Sequence, residues 1–507
     1  MDNGPAQETR EIDTAERSHR RRTAAIALVL LVAGSALFCL WVGVRPQRLL
    51  DRALHRGVAP AASPFTDAEA RDALKRESGY LAACSYTEQA GSKARIFPGS
   101  AAYGALNDVR IGDHVADWVA PEAGAVGAIS LMKAAAFARA HGEDTRGEDA
   151  VLDAYFDVWL TGHRQGWVGD AGSSEAGGMA ARVYYDGQGQ RTRSEDATPA
   201  ATGMTVVALW KRCEYLAGTG RAAAGMHWLT RAWPPARAAG EYLLRHQDTR
   251  FGLVRGPASS GDFWLTDAVA ATDALRCLDC WARTLKRPDP RYAAAASAIT
   301  TGIAGMKERG DWSNFYRVRH RDHDYEPEYG DSLDQLCFLP YEADVLPPGE
   351  EYARRISDWW TLGGNEFSMT AQTTDAADWK YYGTHWHHYF AARPENEYLY
   401  PGPGLQLAKV EWKYAAQTHD PELRRRAVNR LRWAARREYS ALWLGATAPA
   451  QPDGGLVDWR DGANYPRTAE TWARFIDTSA YFIQVILMVN FNQDTRYVPE
   501  APFDAPR

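Results

Sequence analysis

The chain has few cysteines and lacks the short motifs of several large enzyme classes. It contains 6 cysteines in 507 residues, and their scatter among predicted helices is not that of a disulfide framework. It has no glycine-rich phosphate loop, no G-x-S-x-G elbow and no H-E-x-x-H motif. The sequence therefore gives no support for nucleotide-driven, serine-hydrolase or zincin chemistry, and we expect no metal and no cofactor.

The chain also has no excess of basic charge. The net charge is -6, which gives no overall basic field, so we expect no nucleic-acid partner. The basic stretch at 424–437 is interpreted as the solvated face of a helix. The single C-x-x-C, Cys277 and Cys280, lies on a predicted helix without a second pair, which favours core packing over metal or redox chemistry.

What the chain does have is a long uncharged segment near its N-terminus. Residues 23–44 carry no charge and follow three consecutive arginines, and they are long enough to cross a bilayer. This length exceeds the apolar region of a cleaved signal peptide, so an uncleaved signal-anchor is favoured over a cleaved one, with a buried core helix as the alternative. The resulting plan is a cytoplasmic tail (1–22), a single transmembrane anchor (23–44), a linker (45–65), an extracytoplasmic main domain (66–495) and a C-terminal tail (496–507).

The main domain alternates amphipathic helical stretches with short and long connections. About twelve stretches are predicted, beginning at Thr66, which forms a capping-box pattern with Glu69. Helical hairpins closed into a ring place the connections between hairpins on one face. The sequence therefore predicts an all-α toroid with one elaborated face. Short turns are placed near 141–147, 218–225, 286–290, 346–349 and 418–421, and long connections near 161–199, 248–263, 310–330, 361–404 and 445–467.

The long connections are rich in aromatic and acidic residues, which favours ligand binding over disorder. In Gly261–Asp267, GDFWLTD, Asp262 stands beside Phe263 and Trp264. A carboxylate in this position can hold sugar hydroxyls while an indole stacks on a sugar ring. Asp267 has two interpretations, as a cap of the following helix or as a second residue lining the site.

Two segments resemble the six-hairpin glycosidases. The sequence GDFWLTDAVAATDALRCLDCW at Gly261–Trp281 is similar to the acid-Trp pair and alanine-rich inner helix of those enzymes, and RAAGEYLLRHQDTRFGL at Arg237–Leu253 is similar to their helix, gap and Gly-Leu turn. The resemblance implies an (α/α)6 barrel and hydrolysis of an O-glycosidic bond by two carboxylates, often with inversion. It assigns neither catalytic acid to a position in this chain.

Candidate catalytic acids come from the residues themselves. The stretch DHDYEPEYGDSLD at Asp322–Asp334 is dense in carboxylates, and crowding can raise the pKa of one of them into the range of a general acid. Glu326 and Glu328 are the candidates, with helix capping by Asp331 as the alternative. The partner base must lie on another connection, where Glu470 is the candidate and Asp458 and Trp459 are predicted to line the site.

The connection at 378–389 adds a cluster of histidines and aromatics, DWKYYGTHWHHY. Trp379, His385 and His387 are predicted to contact the substrate, because aromatic faces suit sugar rings. The H-x-H spacing lacks further ligands of defined spacing and is weak as a metal site.

Two other classes of function stay open. Toroids also host isoprenoid cyclases, and aromatic faces can hold carbocations, but the chain has neither D-D-x-x-D nor D-x-D-D. The other alternative is a glycan-binding protein without catalytic activity. Turnover of a sugar or of a prenyl substrate distinguishes these three.

Overall fold

The computed structural model describes most of the predicted main domain. The described residues are 65–86, 98–107, 109–111, 114–115, 117–169, 172–219, 222–257, 261–306, 318–319, 342–343, 345, 354, 357–358, 361, 385–387, 397–399, 401–435, 457–459 and 473–498. All of them lie in one unit, Ala59–Glu308 with Ser313–Arg507. The predicted anchor at 23–44 lies outside the described residues.

The described helices form an inner and an outer layer. The inner helices are α2 (Pro121–Ala140), α4 (Pro199–Gly218), α6 (Leu265–Thr284), α8 (Pro401–Thr418) and α10 (Ile476–Phe491). The outer helices are α1 (Asp67–Ala83), α3 (Arg146–Asp153) with the π-helix Ala154–Leu160, α5 (Ala222–His246), α7 (Pro290–Gly305) and α9 (Pro421–Ala435).

The inner helices pack side by side in the order α8, α10, α2, α4, α6. Residues near 342–345 bridge the two ends of this row: Lys409 of α8 binds Glu342, and Arg276 of α6 donates to the carbonyl of Val345. The inner helices and this bridge form the predicted ring. The predicted capping box of Thr66 and Glu69 is also present at the start of α1, with the Thr66 backbone amide donating to the Glu69 carboxylate at 2.8 Å.

The connections alternate in length as predicted. Each described connection from an inner helix to the next outer helix is short: 141–145, 219–221, 285–289 and 419–420. The connections from an outer helix to an inner helix are long, as in 161–198 and 247–264. The long connections between described helices therefore lead to the N-termini of inner helices, at one face of the ring. The sequence analysis did not predict the long connection at 84–120, which precedes α2.

The long connections carry short antiparallel strands, which the all-α prediction did not include. One sheet has the order β12 (Val457–Trp459), β13 (Ala473–Phe475), β1 (Val109–Ile111) and β2 (His114–Val115), and a second has the order β3 (Trp118–Val119), β5 (Val183–Tyr185) and β6 (Arg191–Ser194). Three pairs complete the set: β4 (Met179–Ala180) with β7 (Ala197–Thr198), β8 (Phe263–Trp264) with β9 (Val318–Arg319), and β10 (His385–His387) with β11 (Glu397–Leu399). Each strand has only two to four residues, which is too short to produce an alternating pattern that can be recognised in the sequence.

One described helix, α2, is long and apolar enough to cross a membrane, and 67% of its most apolar window is buried in the protein. Its neighbours α4 and α10 cover it on two sides, so its apolar character is that of a core helix. Cys277 and Cys280 are likewise buried and free in α6, which confirms their assignment to core packing.

The interpretation of the basic stretch at 424–437 as a solvated face is wrong for its first turns. Arg425, Arg426 and Arg430 are 5%, 1% and 2% exposed. Arg426 donates to Asp358 at 2.8 Å, and Arg430 binds Glu411 through two hydrogen bonds of 2.9 and 3.0 Å. These guanidinium groups can be buried because acids neutralise them: Glu422 of the same helix pairs with Arg425, and Asp358 and Glu411 pair with the other two.

Helices α4 and α6 approach each other most closely where α4 carries a glycine. A Cβ atom on Gly203 would lie 2.5 Å from the backbone oxygen of Ala270, so no side chain fits without moving the helices apart. We expect Gly203→Ala to lower the free energy of unfolding by about 1–3 kcal/mol, the usual cost of overpacking. Urea denaturation measures this.

The matched control for that substitution is Gly218→Ala at the end of the same helix. A Cβ atom there meets nothing within 4 Å, so the change should leave stability unaltered or raise it by up to about 1 kcal/mol. Equal effects at Gly203 and Gly218 would contradict the close packing of α4 against α6.

Candidate active site at the inner-helix N-termini

Three carboxylates lie in the first turns of inner helices, at the face that the long connections reach. Glu122 is the second residue of α2, Asp267 the third of α6 and Asp477 the second of α10. Their electrostatic interactions link them, since the charge of Asp477 acts on Glu122 and the charge of Glu122 acts on Asp267. The ring therefore gathers acids that are 145 to 355 positions apart in the sequence into one cluster, which we call the carboxylate cluster.

The three acids differ in their exposure and hydrogen bonds. Asp267 is 4% exposed, and its Oδ1 accepts a hydrogen bond of 2.8 Å from the backbone amide of Ala200, in the first turn of α4. Asp477 is half-buried and accepts a 2.7 Å bond from the amide of Thr478. Glu122 keeps an exposed surface although the protein surrounds it.

The sequence offered helix capping as one role of Asp267, and the structure changes which helix it serves. The N-cap of α6 is Trp264, and no side-chain hydrogen bond caps that helix. Asp267 instead satisfies the amide of Ala200 on α4, beside the amide of Ala201, which donates to Thr198. It thereby ties the N-termini of two inner helices together.

All three acids have pKa values above the usual range. Desolvation by the surrounding protein raises the pKa of Glu122 to about 7, with a further contribution from the negative charge of Asp477. Burial also raises the pKa of Asp267 to about 7, against the opposing effect of the Ala200 amide. The pKa of Asp477 is raised to about 6 by burial, against the opposing effect of backbone hydrogen bonds. Near neutrality the cluster therefore holds both a proton and a negative charge, as a general acid and base require.

The sequence-predicted residues Asp262 and Trp264 lie next to this cluster along the chain. Both are half-buried in the connection that ends at α6, and Trp264 pairs with Val318 in the β8–β9 ladder. The carbonyl of Asp262 accepts a 2.7 Å bond from the amide of Gly256, which fixes the connection. Their position at the loop face agrees with the predicted one, and their contact with a substrate stays a prediction.

The remaining predicted residues cannot be placed in the cluster from the described part of the chain. Glu326, Glu328, Glu470 and Trp379 lie outside the described residues. For others only the strand is described: His385 and His387 belong to β10, and Asp458 and Trp459 to β12. Strand β12 pairs with β13, which runs directly into α10 and Asp477.

Sequence reasoning missed Glu122 and Asp477. Both occur as single acids at the start of long apolar stretches, PEAGAVGAISLM and IDTSAYFIQVILM. An acid that only stabilises the helix dipole occupies the same position. The signal that would have found them is their repetition. The same placement recurs at Asp267, so three of the predicted inner helices begin with an acid in the first turn.

No protein-family model matches the chain, and no curated protein matches it. Solved structures are similar to it in fold, among them the following two. A D-mannose isomerase has a TM-score of 0.54 at 11% identity, covering 84% of this chain and 98% of the isomerase. An unsaturated glucuronyl hydrolase specific for heparin has a TM-score of 0.50 at 10% identity, covering 85% and 100%.

The fold is that of the six-hairpin glycosidases. This confirms the resemblance drawn from the sequence, and it agrees with the ring of inner helices and the single elaborated face. At this identity the two structures share the fold with the chain, and the carboxylate cluster is derived from the chain's own residues.

The raised pKa values have a consequence for stability that needs no substrate. The usual values are 4.5 for Glu and 3.8 for Asp, against about 7 for Glu122 and Asp267 and about 6 for Asp477 in the fold. Between about pH 4 and 7 the folded chain therefore binds more protons than the unfolded chain. The contribution of the cluster to stability is complete below about pH 4 and is lost as the pH rises to about 7.

Asp267→Asn should remove the contribution of Asp267 to this pH dependence of stability, because asparagine does not titrate. Its amide oxygen can still accept the hydrogen bond from the Ala200 amide. We expect the free energy of unfolding of the variant to fall less steeply from pH 4 to 7 than that of the natural chain. Urea denaturation at pH 4.5, 5.5 and 6.5 measures both slopes. Identical slopes would show that Asp267 does not take up a proton in this range.

Proposed function

We propose that the chain is a membrane-anchored glycoside hydrolase that cleaves an O-glycosidic bond with inversion. The observation that carries the proposal is the carboxylate cluster, Glu122, Asp267 and Asp477, on the loop face of a six-hairpin ring. Glycoside hydrolysis needs a protonated carboxylic acid and an ionised carboxylate on opposite sides of the scissile bond. The cluster supplies both protonation states near neutrality.

Glu122 is the proposed general acid. It has the most exposed surface of the three, so it can reach a substrate. No hydrogen bond to its carboxylate stabilises the charged form in the described part of the chain, whereas backbone amides donate to Asp267 and Asp477. Its proton would pass to the glycosidic oxygen as the bond to the anomeric carbon breaks.

Asp477 is the proposed general base. Its pKa, about 6, is the lowest of the cluster, so it is ionised while Glu122 keeps its proton. Helices α2 and α10 are neighbours in the ring, and packed helix axes are roughly 8–10 Å apart. That spacing suits the separation of about 6.5–9.5 Å that leaves room for an attacking water in inverting enzymes. Asp477 would take the proton of that water.

Asp267 is proposed to position the cluster. It is almost fully buried and bound to α4, so it holds the first turns of α4 and α6 together. The proposed substrate contacts are those from the sequence: Asp262, Trp264, Trp379, His385, His387, Asp458 and Trp459. Glu326, Glu328 and Glu470 stay as rival catalytic acids on the long connections.

The deciding experiment is an activity screen of the full-length chain in detergent micelles. Natural polysaccharides, aryl glycosides and prenyl diphosphates are offered to the natural chain and to the Glu122→Gln, Glu328→Gln and Glu470→Gln variants. We expect sugar release that is lost in Glu122→Gln, with proton NMR showing the inverted anomer first. Loss in Glu328→Gln or Glu470→Gln alone would transfer the catalytic role to that residue.

Three other outcomes would overturn the proposal. Turnover of a prenyl diphosphate with no sugar release would place the chain among cyclases. Binding of a glycan without any turnover would make it a glycan-binding protein. Appearance of the retained anomer first would exclude the inverting mechanism while keeping the hydrolase.

A further inference from the structure

The sheet formed by β3, β5 and β6 presents one face to solvent. Trp118 lies opposite Tyr184, and Tyr184 lies opposite Arg193. Because side chains alternate along a strand, Arg182 and Glu195 lie on the same face, each two positions from a member of that row. Trp118 and Tyr184 are half-buried, while Arg182, Arg193 and Glu195 are exposed. We call these five residues the arginine platform.

Both guanidinium groups of the platform are stacked on aromatic rings. The Arg193 guanidinium lies 3.9 Å from the ring centre of Tyr184, and that of Arg182 lies 4.6 Å from the ring of Trp118. Stacking fixes the plane of each guanidinium and leaves its N–H groups at the edge. A fixed planar fork is the geometry that binds a carboxylate or sulfate through paired hydrogen bonds.

The platform contains one acid, and of the two arginines it pairs with Arg182 alone. Glu195 lies 3.7 Å from the Arg182 guanidinium, and its carboxylate also accepts a 2.7 Å bond from the Tyr184 hydroxyl. No carboxylate of a described residue lies within ion-pair distance of Arg193. The platform therefore keeps a net positive charge and one guanidinium available for an external anion.

The platform is adjacent in sequence to the carboxylate cluster. Strand β3 ends at Val119, and Glu122 follows three residues later in the first turn of α2. Strands β5 and β6 lie in the long connection before α4. A chain-like ligand that places one bond at Glu122 can thus extend over the neighbouring sheet.

We propose that the arginine platform binds an anionic substituent, a carboxylate or sulfate, on a sugar unit beyond the bond that is cleaved, and that the substrate is an acidic glycan. This inference rests on the proposed function, because it takes the carboxylate cluster as the cleavage site. The negative cluster alone would repel such a glycan. Arg193 and Arg182 supply the compensating attraction.

The test is isothermal titration of the full-length Glu122→Gln chain in detergent, which removes hydrolysis from the measurement. The probes are a galacturonate hexasaccharide, its fully methyl-esterified form and a sulfated galactan hexasaccharide. We expect the carboxylate or the sulfate probe to bind about tenfold more tightly than the neutral ester. Comparison of the two charged probes tells which anion the platform prefers.

Three substitutions, each added to Glu122→Gln, test whether the preference for the charged probe comes from the platform. Two are in the platform and one is a control. Arg193→Ala should abolish the preference for the charged probe, whereas Glu195→Gln should increase it, because the competing acid is removed. The control is Arg424→Ala on α9, another exposed arginine stacked on a ring, at 4.7 Å from Trp412. It should leave the preference unchanged. Circular dichroism confirms that each variant is folded.

Three results would overturn the platform. They are equal affinity for charged and neutral probes, no binding of any probe, and a preference for the charged probe that persists in Arg193→Ala. Its failure differs from failure of the proposed function. Cleavage of acidic glycans that Arg193→Ala leaves unaffected would refute the platform and keep the hydrolase. Binding that depends on Arg193, without cleavage of any glycan by the natural chain, would refute the hydrolase and keep the platform.

Discussion

Glu122→Gln is expected to lower kcat/KM for glycoside hydrolysis by about 10²–10⁴-fold, the usual contribution of a general acid or base. Glutamine has nearly the same shape as the protonated acid, but it cannot give a proton to the leaving oxygen. Substrate binding should persist, because the amide can still donate a hydrogen bond. Initial rates of sugar release at several substrate concentrations separate the loss of kcat from any change in KM.

The same experiment has an internal check. Aryl glycosides with a good leaving group need little protonation, so Glu122→Gln should lose less activity on them than on natural glycans. Glu143→Gln is the matched control, since Glu143 is an exposed glutamate just beyond the other end of α2. Its activity should equal that of the natural chain. Unchanged activity of Glu122→Gln on a natural glycan would exclude Glu122 as the acid.

Arg430→Met is expected to lower the free energy of unfolding by about 3–5 kcal/mol, the cost of leaving a buried charge without its partner. Arg430 donates to Glu411 at 2.9 and 3.0 Å and to the Thr361 hydroxyl at 2.7 Å. The side chains of Arg430 and Glu411 are 2% and 0% exposed. The Glu411 carboxylate also accepts a 2.6 Å bond from Ser357, which compensates only part of the loss.

Guanidinium denaturation of the variants measures this loss. Arg424→Met, on the exposed side of the same helix, should cost less than about 1 kcal/mol. The double variant Arg430→Met/Glu411→Met should recover a large part of the loss, because it removes both charges together. A single-variant loss as small as that of Arg424→Met would mean that Arg430 contributes no buried ion pair.

The hairpin pattern could be predicted because it depends on signals that are local in the chain. Thr66 and Glu69 mark the start of α1 within four residues, and the short turn before α9 is recognisable in Thr418–Pro421. The buried arginines could not be predicted in this way. Arg426 donates to Asp358 and Arg430 donates to Thr361, residues about 70 positions earlier in the chain.

The same difference between local signals and long-range contacts applies to the candidate site. Asp267 and its neighbours Asp262 and Trp264 stood out because several unusual residues are adjacent in the sequence. Glu122 and Asp477 have ordinary neighbours, and their significance comes from the ring, which brings the first turns of α2 and α10 together. Burial raises both pKa values, and the charge of Asp477 adds to the rise at Glu122; both causes are properties of the assembled fold.

The pH dependence of kcat/KM tests the carboxylate cluster most directly. For the full-length chain on a cleaved glycan, we expect a bell-shaped profile with apparent pKa values of about 6 and 7, since Asp477 must lose its proton and Glu122 must keep its own. In Glu122→Gln the decline above pH 7 should disappear from the residual activity. A profile that stays level from pH 5 to 8, or one whose alkaline limb persists in Glu122→Gln, would contradict catalysis by the cluster.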